Sequence, residues 1–264
     1  MVKGLYTAFT GMVNEERRMD VLANNLANAA TVGYKKEGAT SQEFADRLAY
    51  KIKDVTVPLH VSRLGTVNLG VKIGETYTDY SQGSFQITDK KSDVALSGDG
   101  FFAISFTNKA GVTSVKYTRD GAFTVDNEGY FRTVDGDYLM DRNGAMTSNA
   151  ASRVRIDPTQ DYSIDSQGNV IQNGQVVAQL GIVDFADYDF LAKYGENMYE
   201  LVEGGQIIAS NARVEQGALE MSNINVVDEM VNMIAIQRAY EAGQKMIQTE
   251  DSTLEKAVTE VGRV

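Results

Sequence analysis

The chain has 264 residues, 43% of them hydrophobic, with 25 Lys and Arg against 36 Asp and Glu and no cysteine. This composition excludes global disorder, a disulfide framework, a thiolate nucleophile and a Cys-ligated zinc site. The net charge of −11 argues against a nucleic-acid partner, because an acidic surface repels phosphate.

The charge is uneven. Residues 1–75 hold ten Lys and Arg against eight Asp and Glu, residues 76–212 ten against nineteen, and residues 213–264 five against nine. Acid therefore concentrates on the middle section, as on a solvated surface. The run Asn14-Glu15-Glu16-Arg17-Arg18 interrupts any apolar core of a secretory leader, so no cleaved signal peptide is expected. No stretch of about 18 apolar residues predicts a membrane span.

In chain order, residues 3–30 predict a helix. Leu5, Met12, Met19 and Leu26 recur every seven residues, with Phe9 and Ala23 completing a 3–4 stripe. Asn28 and Gly33 are stop signals, and Lys35 and Lys36 follow where cations suit a helix C-terminus. Phe44, Ala45 and Leu48 suggest a short amphipathic turn set over 40–50. Val55, Val57, Leu59 and Val61 alternate with polar residues, and Pro58 makes that segment an edge strand or extended linker.

Residues 76–212 predict short strands joined by hairpins. Turn signals recur at Gly98-Asp99-Gly100, Asn108–Gly111, Asp126–Gly129, Asp135-Gly136, Arg142-Asn143-Gly144, Ser166–Asn169 and Asn173-Gly174. Residues 222–264 predict a second long helix. Ser222 or Asn225 caps it, with Asp228 and Glu229 in the first turn. Val226, Met233, Tyr240, Ile247, Leu254 and Val261 form one heptad column. Met230, Gln237, Gln244, Asp251 and Val258 form a companion, half of it polar. Gly243 sits inside the helix, where it suits the close approach of a neighbouring helix.

The expected fold is α+β: N- and C-terminal helices pairing as a coiled coil (residues 1–38 and 218–264), an extended linker region (39–75), and a hairpin-rich, barrel- or sandwich-like all-β domain (76–217). A two-helix hairpin leaves Phe9, Ile224, Val231, Ile234 and Ile236 wet, which favours packing among several copies.

Residues that would carry chemistry are sparse. His60 is the sole histidine and has no motif partner. Gly98-Asp99-Gly100 lacks the third glycine and the helix of a dinucleotide fingerprint. Asp135, Asp137, Asp141 and Asn143 miss the spacing and closing Glu of a calcium loop, and two successive hairpin turns account for them better. No catalytic residue, metal ligand, cofactor or small-molecule substrate is assigned.

Three sets of motifs carry a resemblance. Leu22-Ala23-Asn24-Asn25-Leu26-Ala27-Asn28 leads through Thr31-Val32-Gly33-Tyr34-Lys35. The central set comprises Gln82-Gly83-Ser84-Phe85, Leu96-Ser97-Gly98-Asp99-Gly100-Phe101-Phe102 and Tyr117-Thr118-Arg119-Asp120-Gly121. The last is Glu220-Met221-Ser222-Asn223-Ile224-Asn225, followed by Gln237-Arg238-Ala239-Tyr240. Together they resemble the signatures of the bacterial flagellar rod and hook proteins, in family order and over most of the chain.

That resemblance implies a non-enzymatic axial subunit of the flagellar basal body. It would be exported through the flagellar type III pathway and assembled outside the cytoplasm as a helical homopolymer beside other rod proteins and the hook. Chain length, the extended piece at 51–74 and Gly195–Tyr199 favour a place in the distal rod over the proximal rod. The expected assembly interface comprises Leu5, Phe9, Met12, Met19, Leu26, Val226, Met230, Met233, Tyr240, Ile247, Leu254, Val258 and Val261. The alternative from another class is a secreted β-domain that binds a ligand and is oligomerised by its coiled coil.

Overall fold

The computed structural model describes residues 2–51 and 62–261. The alternation over Val55–Val61, with Pro58 and His60, lies outside the described residues. The elements run α1 (Val2–Ala27), β1 (Glu37–Glu43), β2 (Arg47–Lys51), β3 (Ser62–Val67), β4 (Val71–Thr78), β5 (Phe85–Ile87), β6 (Val94–Ser97), β7 (Phe101–Thr107) and β8 (Thr113–Thr118). Then come β9 (Thr124–Val125), β10 (Phe131–Arg132), β11 (Tyr138–Leu139), α2 (Arg142–Thr147), β12 (Ser163–Ile164), β13 (Asn169–Gln172), β14 (Gln175–Gln179) and β15 (Ile182–Phe185). A 3-10 turn at Tyr188–Phe190 leads into β16 (Leu191–Tyr194), β17 (Met198–Leu201), β18 (Ile207–Ala209), β19 (Arg213–Gln216), β20 (Ala218–Glu220) and α3 (Val226–Lys256), which ends in a π turn. No described helix is long and apolar enough to cross a membrane.

These elements form two compact units. The first draws on Met1–Ala27, Glu37–Asp79 and Asn225–Val264, the second on Asn28–Lys36 and Tyr80–Ile224.

In the first unit α1 and α3 lie against each other, antiparallel. Gly4 lies beside Glu250, Gly243 beside Met12, and Asn25 Nδ2 stands 3.4 Å from Glu229 Oε2. A Cβ on Gly243 would sit 2.7 Å from Met12 Cγ, so this glycine does permit close helix approach. Along α3 the covered positions are Glu229, Met233, Ile236, Tyr240, Gly243, Ile247, Glu250, Leu254 and Ala257. That is a 4–3 repeat, the seam spacing of two packed helices. The column containing Met233, Tyr240, Ile247 and Leu254 faces inward, as expected.

The companion column differs from the sequence expectation. Met230, Gln237, Gln244, Asp251 and Val258 are exposed, and their place is taken by Glu229, Ile236, Gly243, Glu250 and Ala257. Ile236, expected to stay wet, is buried. Offsets of three and four are both compatible with a heptad column, and only the position of the partner helix selects between them.

Residues 40–50 do not form an amphipathic helical turn. They span the end of β1, which pairs with β4, a connection at residues 44–46, and most of β2, which pairs with β3; both pairings are antiparallel. Thr40, Ser41 and Gln42 are exposed, and Asn14 on α1 anchors the strand by donating to Ser41 Oγ at 3.0 Å.

The second unit is built on a nine-stranded antiparallel sheet. Its main path runs β16-β17-β8-β7-β11-β10-β9, and β15 with β18 branches from β7. The path is open, so there is no closed barrel. Phe101-Phe102-Ala103-Ile104 in β7 is buried on both faces, which is why it is a continuous apolar run rather than an alternation. Phe102 and Ile104 enter a core with Leu96, Phe131 and Leu139, while Phe101 and Ala103 enter another with Tyr117, Phe185 and Tyr199.

The expected turns at Asn108–Gly111, Asp126–Gly129, Asp135-Gly136, Ser166–Gly168 and Asn173-Gly174 all join consecutive strands. Val125–Phe131 and Ile164–Val170 share one turn geometry. In each, the glycine N–H donates at 2.8 Å to the carbonyl of the opening aspartate. Arg142-Asn143-Gly144 is a correction, since it opens α2 rather than a hairpin. Asp141 Oδ1 accepts from Gly144 N at 2.6 Å and caps that helix. Replacing Asp141 by Ala should cost about 1 kcal/mol, measurable as a shift of the urea midpoint followed by tyrosine fluorescence.

Candidate functional site: a buried charge cluster joining three motifs

The second unit gathers residues from all three signature regions. Beyond α1 the backbone turns at Gly33, whose φ of +68° suits glycine. Its N–H donates to the Glu220 carbonyl at 2.8 Å. Lys35, two residues on, is no solvated helix-end cation, contrary to expectation. Its side chain is 1% exposed and its Nζ lies 2.7 Å from Glu220 Oε1.

The other carboxylate oxygen, Oε2, meets Arg119 Nη1 at 3.1 Å, and both of those side chains are at most 2% exposed. Gly83 N donates to Oε1 at 2.9 Å, and Lys35 Nζ also donates to the Ser81 carbonyl at 2.7 Å. The Arg119 guanidinium stands 5.1 Å from the Phe101 ring centre, within cation–π range. Two cations thus share one carboxylate in a dry interior, where each ion is tolerable only because its partners are in place.

Neighbouring motif residues complete the cluster. Asn223 Oδ1 accepts from Lys36 N at 2.8 Å, and its Nδ2 donates to Ser81 Oγ at 3.0 Å. Gly121 approaches Val94 too closely for any side chain, and its carbonyl accepts from Val94 N at 3.0 Å. Gly98 and Gly100 have φ of +111° and +148° on the turn into β7. Asn28 Oδ1 accepts from Thr31 Oγ1 at 3.2 Å, and Ser222 Oγ from Ile224 N at 3.4 Å. Asp120 accepts from Ala122 N and Asn197 Nδ2. Burial raises its pKa above the usual aspartate value, with the Ala122 hydrogen bond opposing that shift.

In the first unit Asn25 is fully buried and holds the Glu37 backbone from both sides, donating to its carbonyl at 2.8 Å and accepting from its N–H at 3.0 Å. Asn225 is the α3 cap, accepting from Val227 N at 3.1 Å. Asn24, Gln237 and Arg238 are exposed.

Glu220 has no role assigned from the sequence, and Lys35 only that of a helix-end cation. A usable signal existed at Glu220, a lone charge in the otherwise apolar Ala218-Leu219-Glu220-Met221. Among the described residues no group of His, Asp and Glu is placed to hold a metal ion. The cluster holds charges in fixed pairs and presents no open face to a substrate, which is the organisation of a scaffold.

Fold and cluster together define an α+β chain whose β-rich unit joins residues from all three signature regions in one buried charge network. Three family descriptions match in that same order. They are "Flagella basal body rod protein" at residues 5–35, "Flagellar hook protein FlgE/F/G D1 domain" at 95–172, and "Flagellar basal body rod FlgEFG protein C-terminal" at 215–260. The flagellar basal-body rod protein FlgG of Bacillus subtilis (strain 168) is 33% identical, over 98% of this chain and 98% of its own. FlgG of Borreliella burgdorferi is 34% identical over 96% and 97%, and FlgF of Caulobacter vibrioides 30% over the whole of both chains. The chain belongs to the flagellar basal-body rod protein family, whose members are structural and non-enzymatic.

Proposed function

We propose that the chain is an axial subunit of the bacterial flagellar rod that polymerises helically through its terminal helices into a tubular, torque-transmitting shaft and export channel. The observation that carries this reading is the apolar face that α3 leaves in water. Val227, Met230, Val231 and Ile234 are each about half exposed or more, at 67%, 51%, 60% and 48%. An apolar stripe of this length on a soluble chain calls for cover by other copies. Phe9, Val226 and Val258 are likewise exposed, whereas Leu5, Met12, Met19, Leu26, Met233, Tyr240, Ile247 and Leu254 are half-buried. The inward column makes the helix pair, as a coiled coil, and the outward residues make the contacts between subunits.

The full-length likeness to several FlgG proteins at 30–34% identity, against 29–30% for the FlgF proteins, favours the distal rod over the proximal rod. Export without a cleaved signal through the flagellar type III apparatus, and neighbours among the other rod proteins and the hook, belong to the same proposal. The competing reading, a secreted ligand-binding β-domain trimerised by its helices, predicts a closed oligomer.

The test changes only the outward face. Val231→Asp with Ile234→Asp should abolish polymerisation, followed by sedimentation and negative-stain microscopy, while far-UV circular dichroism of the monomer stays unchanged. Filaments formed as readily as by the unaltered chain would remove α3's outer face from the assembly. A wild-type chain that stops at a trimer would refute the helical polymer.

A further inference from the structure

The outer face of one end of the nine-stranded sheet is built from arginines stacked on tyrosines. Strand alternation sends Phe131, Leu139 and Val154 inward and leaves Tyr130, Arg132, Tyr138, Arg153 and Arg155 outward. The bridge Tyr130↔Arg155 adds the last segment to β10, and Met140↔Arg153 sets it beside β11. Arg153 lies 3.8 Å from the Tyr138 ring centre, Arg132 lies 4.3 Å from the same ring, and Arg155 lies 5.4 Å from Tyr130. The two tyrosine rings meet edge to face at 5.5 Å.

Asp126 neutralises Arg132 at 2.7 Å. Arg153 and Arg155 have no carboxylate partner among the described residues; Arg155 Nε donates to the Glu128 carbonyl at 3.3 Å, and Arg153 Nε is buried without a hydrogen-bond partner. Guanidinium groups held over aromatic rings lose little freedom on binding, and arginine and tyrosine are prominent in the energetics of protein interfaces. An arginine–tyrosine face with unused cations, on a section holding nineteen Asp and Glu against ten Lys and Arg, is built to receive carboxylates.

The same unit presents a matching surface at the other end of the sheet. There Phe190 and Val202 are 37% and 47% exposed and are joined by a hydrogen bond from Val202 N to the Phe190 carbonyl at 2.9 Å. Asp187, Asp189 and Glu203 surround them, exposed and without an ion pair among the described residues. This acidic, apolar knob flanks β16 and β17, while the arginine face lies on β10 and β11, and the sheet order puts those pairs at opposite ends. Because they lie at opposite ends of one sheet, a copy cannot satisfy itself.

We infer that the arginine–tyrosine face of one copy receives the Asp187–Phe190/Val202-Glu203 knob of a second copy, forming a head-to-tail lateral contact between β-rich units. Such a contact is heterologous and propagates, adding to the helical contacts rather than closing a dimer. It rests on the homopolymer reading.

The test is a charge swap in the full chain, with the critical concentration for polymer read by sedimentation. Arg153→Glu/Arg155→Glu and Asp189→Arg/Glu203→Arg should each raise it about tenfold or more, since like charges are then brought together. An equimolar mixture should recover to within about threefold of the unaltered chain, since each variant then supplies the sign the other needs. The single changes Arg155→Glu and Glu203→Arg, at exposed positions, give the same comparison if a double variant does not fold. Variants that fold and polymerise like the unaltered chain, or a mixture no better than its components, would overturn the contact and leave the helical polymer standing. An unaltered chain that never polymerises would overturn both.

Discussion

Glu220→Ala is expected to destabilise the second unit by about 3–5 kcal/mol. The substitution removes the carboxylate that Lys35 and Arg119 share in a dry interior, and it strips the Gly83 N–H of its acceptor. The loss reflects buried cations deprived of that carboxylate more than the attraction that was removed. Replacing all three by apolar residues, Lys35→Met/Arg119→Met/Glu220→Leu, should therefore cost less than Glu220→Ala alone, which is the non-additivity expected of one network. Urea unfolding followed by tyrosine fluorescence measures both, Tyr34, Tyr117 and Tyr199 being buried in the same unit. A Glu220→Ala midpoint within error of the unaltered chain would show that the three charges do not depend on one another.

Gly33→Ala should have a comparable effect for a different reason. A φ of +68° costs an alanine about 1–2 kcal/mol. In addition, its Cβ would fall on the backbone of Arg119 and Asp120, atoms that cannot swing aside as a side-chain end can. Displacing that backbone moves Arg119 off Glu220, so the total should be on the order of 3 kcal/mol. Gly174 supplies the control. Its φ is +75°, and nothing lies within 4 Å of a Cβ built there, so Gly174→Ala should show the conformational cost alone. Equal urea midpoints for the two variants would mean that the Gly33 backbone contact carries no energy.

The terminal helices were legible because their signals are local. Leu5, Met12, Met19 and Leu26 on α1, and Met233, Tyr240, Ile247 and Leu254 on α3, recur at a spacing only a helix turns to one face. Asn225 caps α3 as its side chain predicts. The hairpins were legible for the same reason, since Asn-Gly, Asp-Gly and Gly-Asp-Gly state their backbone angles in the sequence. At residues 40–50 the helical spacing of Phe44, Ala45 and Leu48 misleads, because Phe44 and Ala45 lie in the connection between β1 and β2. Pairing with β3 and β4, more distant in the chain, decides the structure there.

By itself the sequence determined the two terminal helices, the turns between consecutive strands of the β-rich centre and, through motifs in family order, the family. All of these are properties of residues close in the chain, where propensity, periodicity and capping act. The tertiary structure alone decided that α3 turns Glu229 and Ile236 inward and Met230 outward, that the sheet stays open, and that Lys35, Arg119 and Glu220 share one buried site. Those three residues are 84 and 101 positions apart along the chain, counting from Lys35 to Arg119 and from Arg119 to Glu220. A charge carries no mark of the partner it will meet, so its burial becomes visible only when the chain has brought the partner to it.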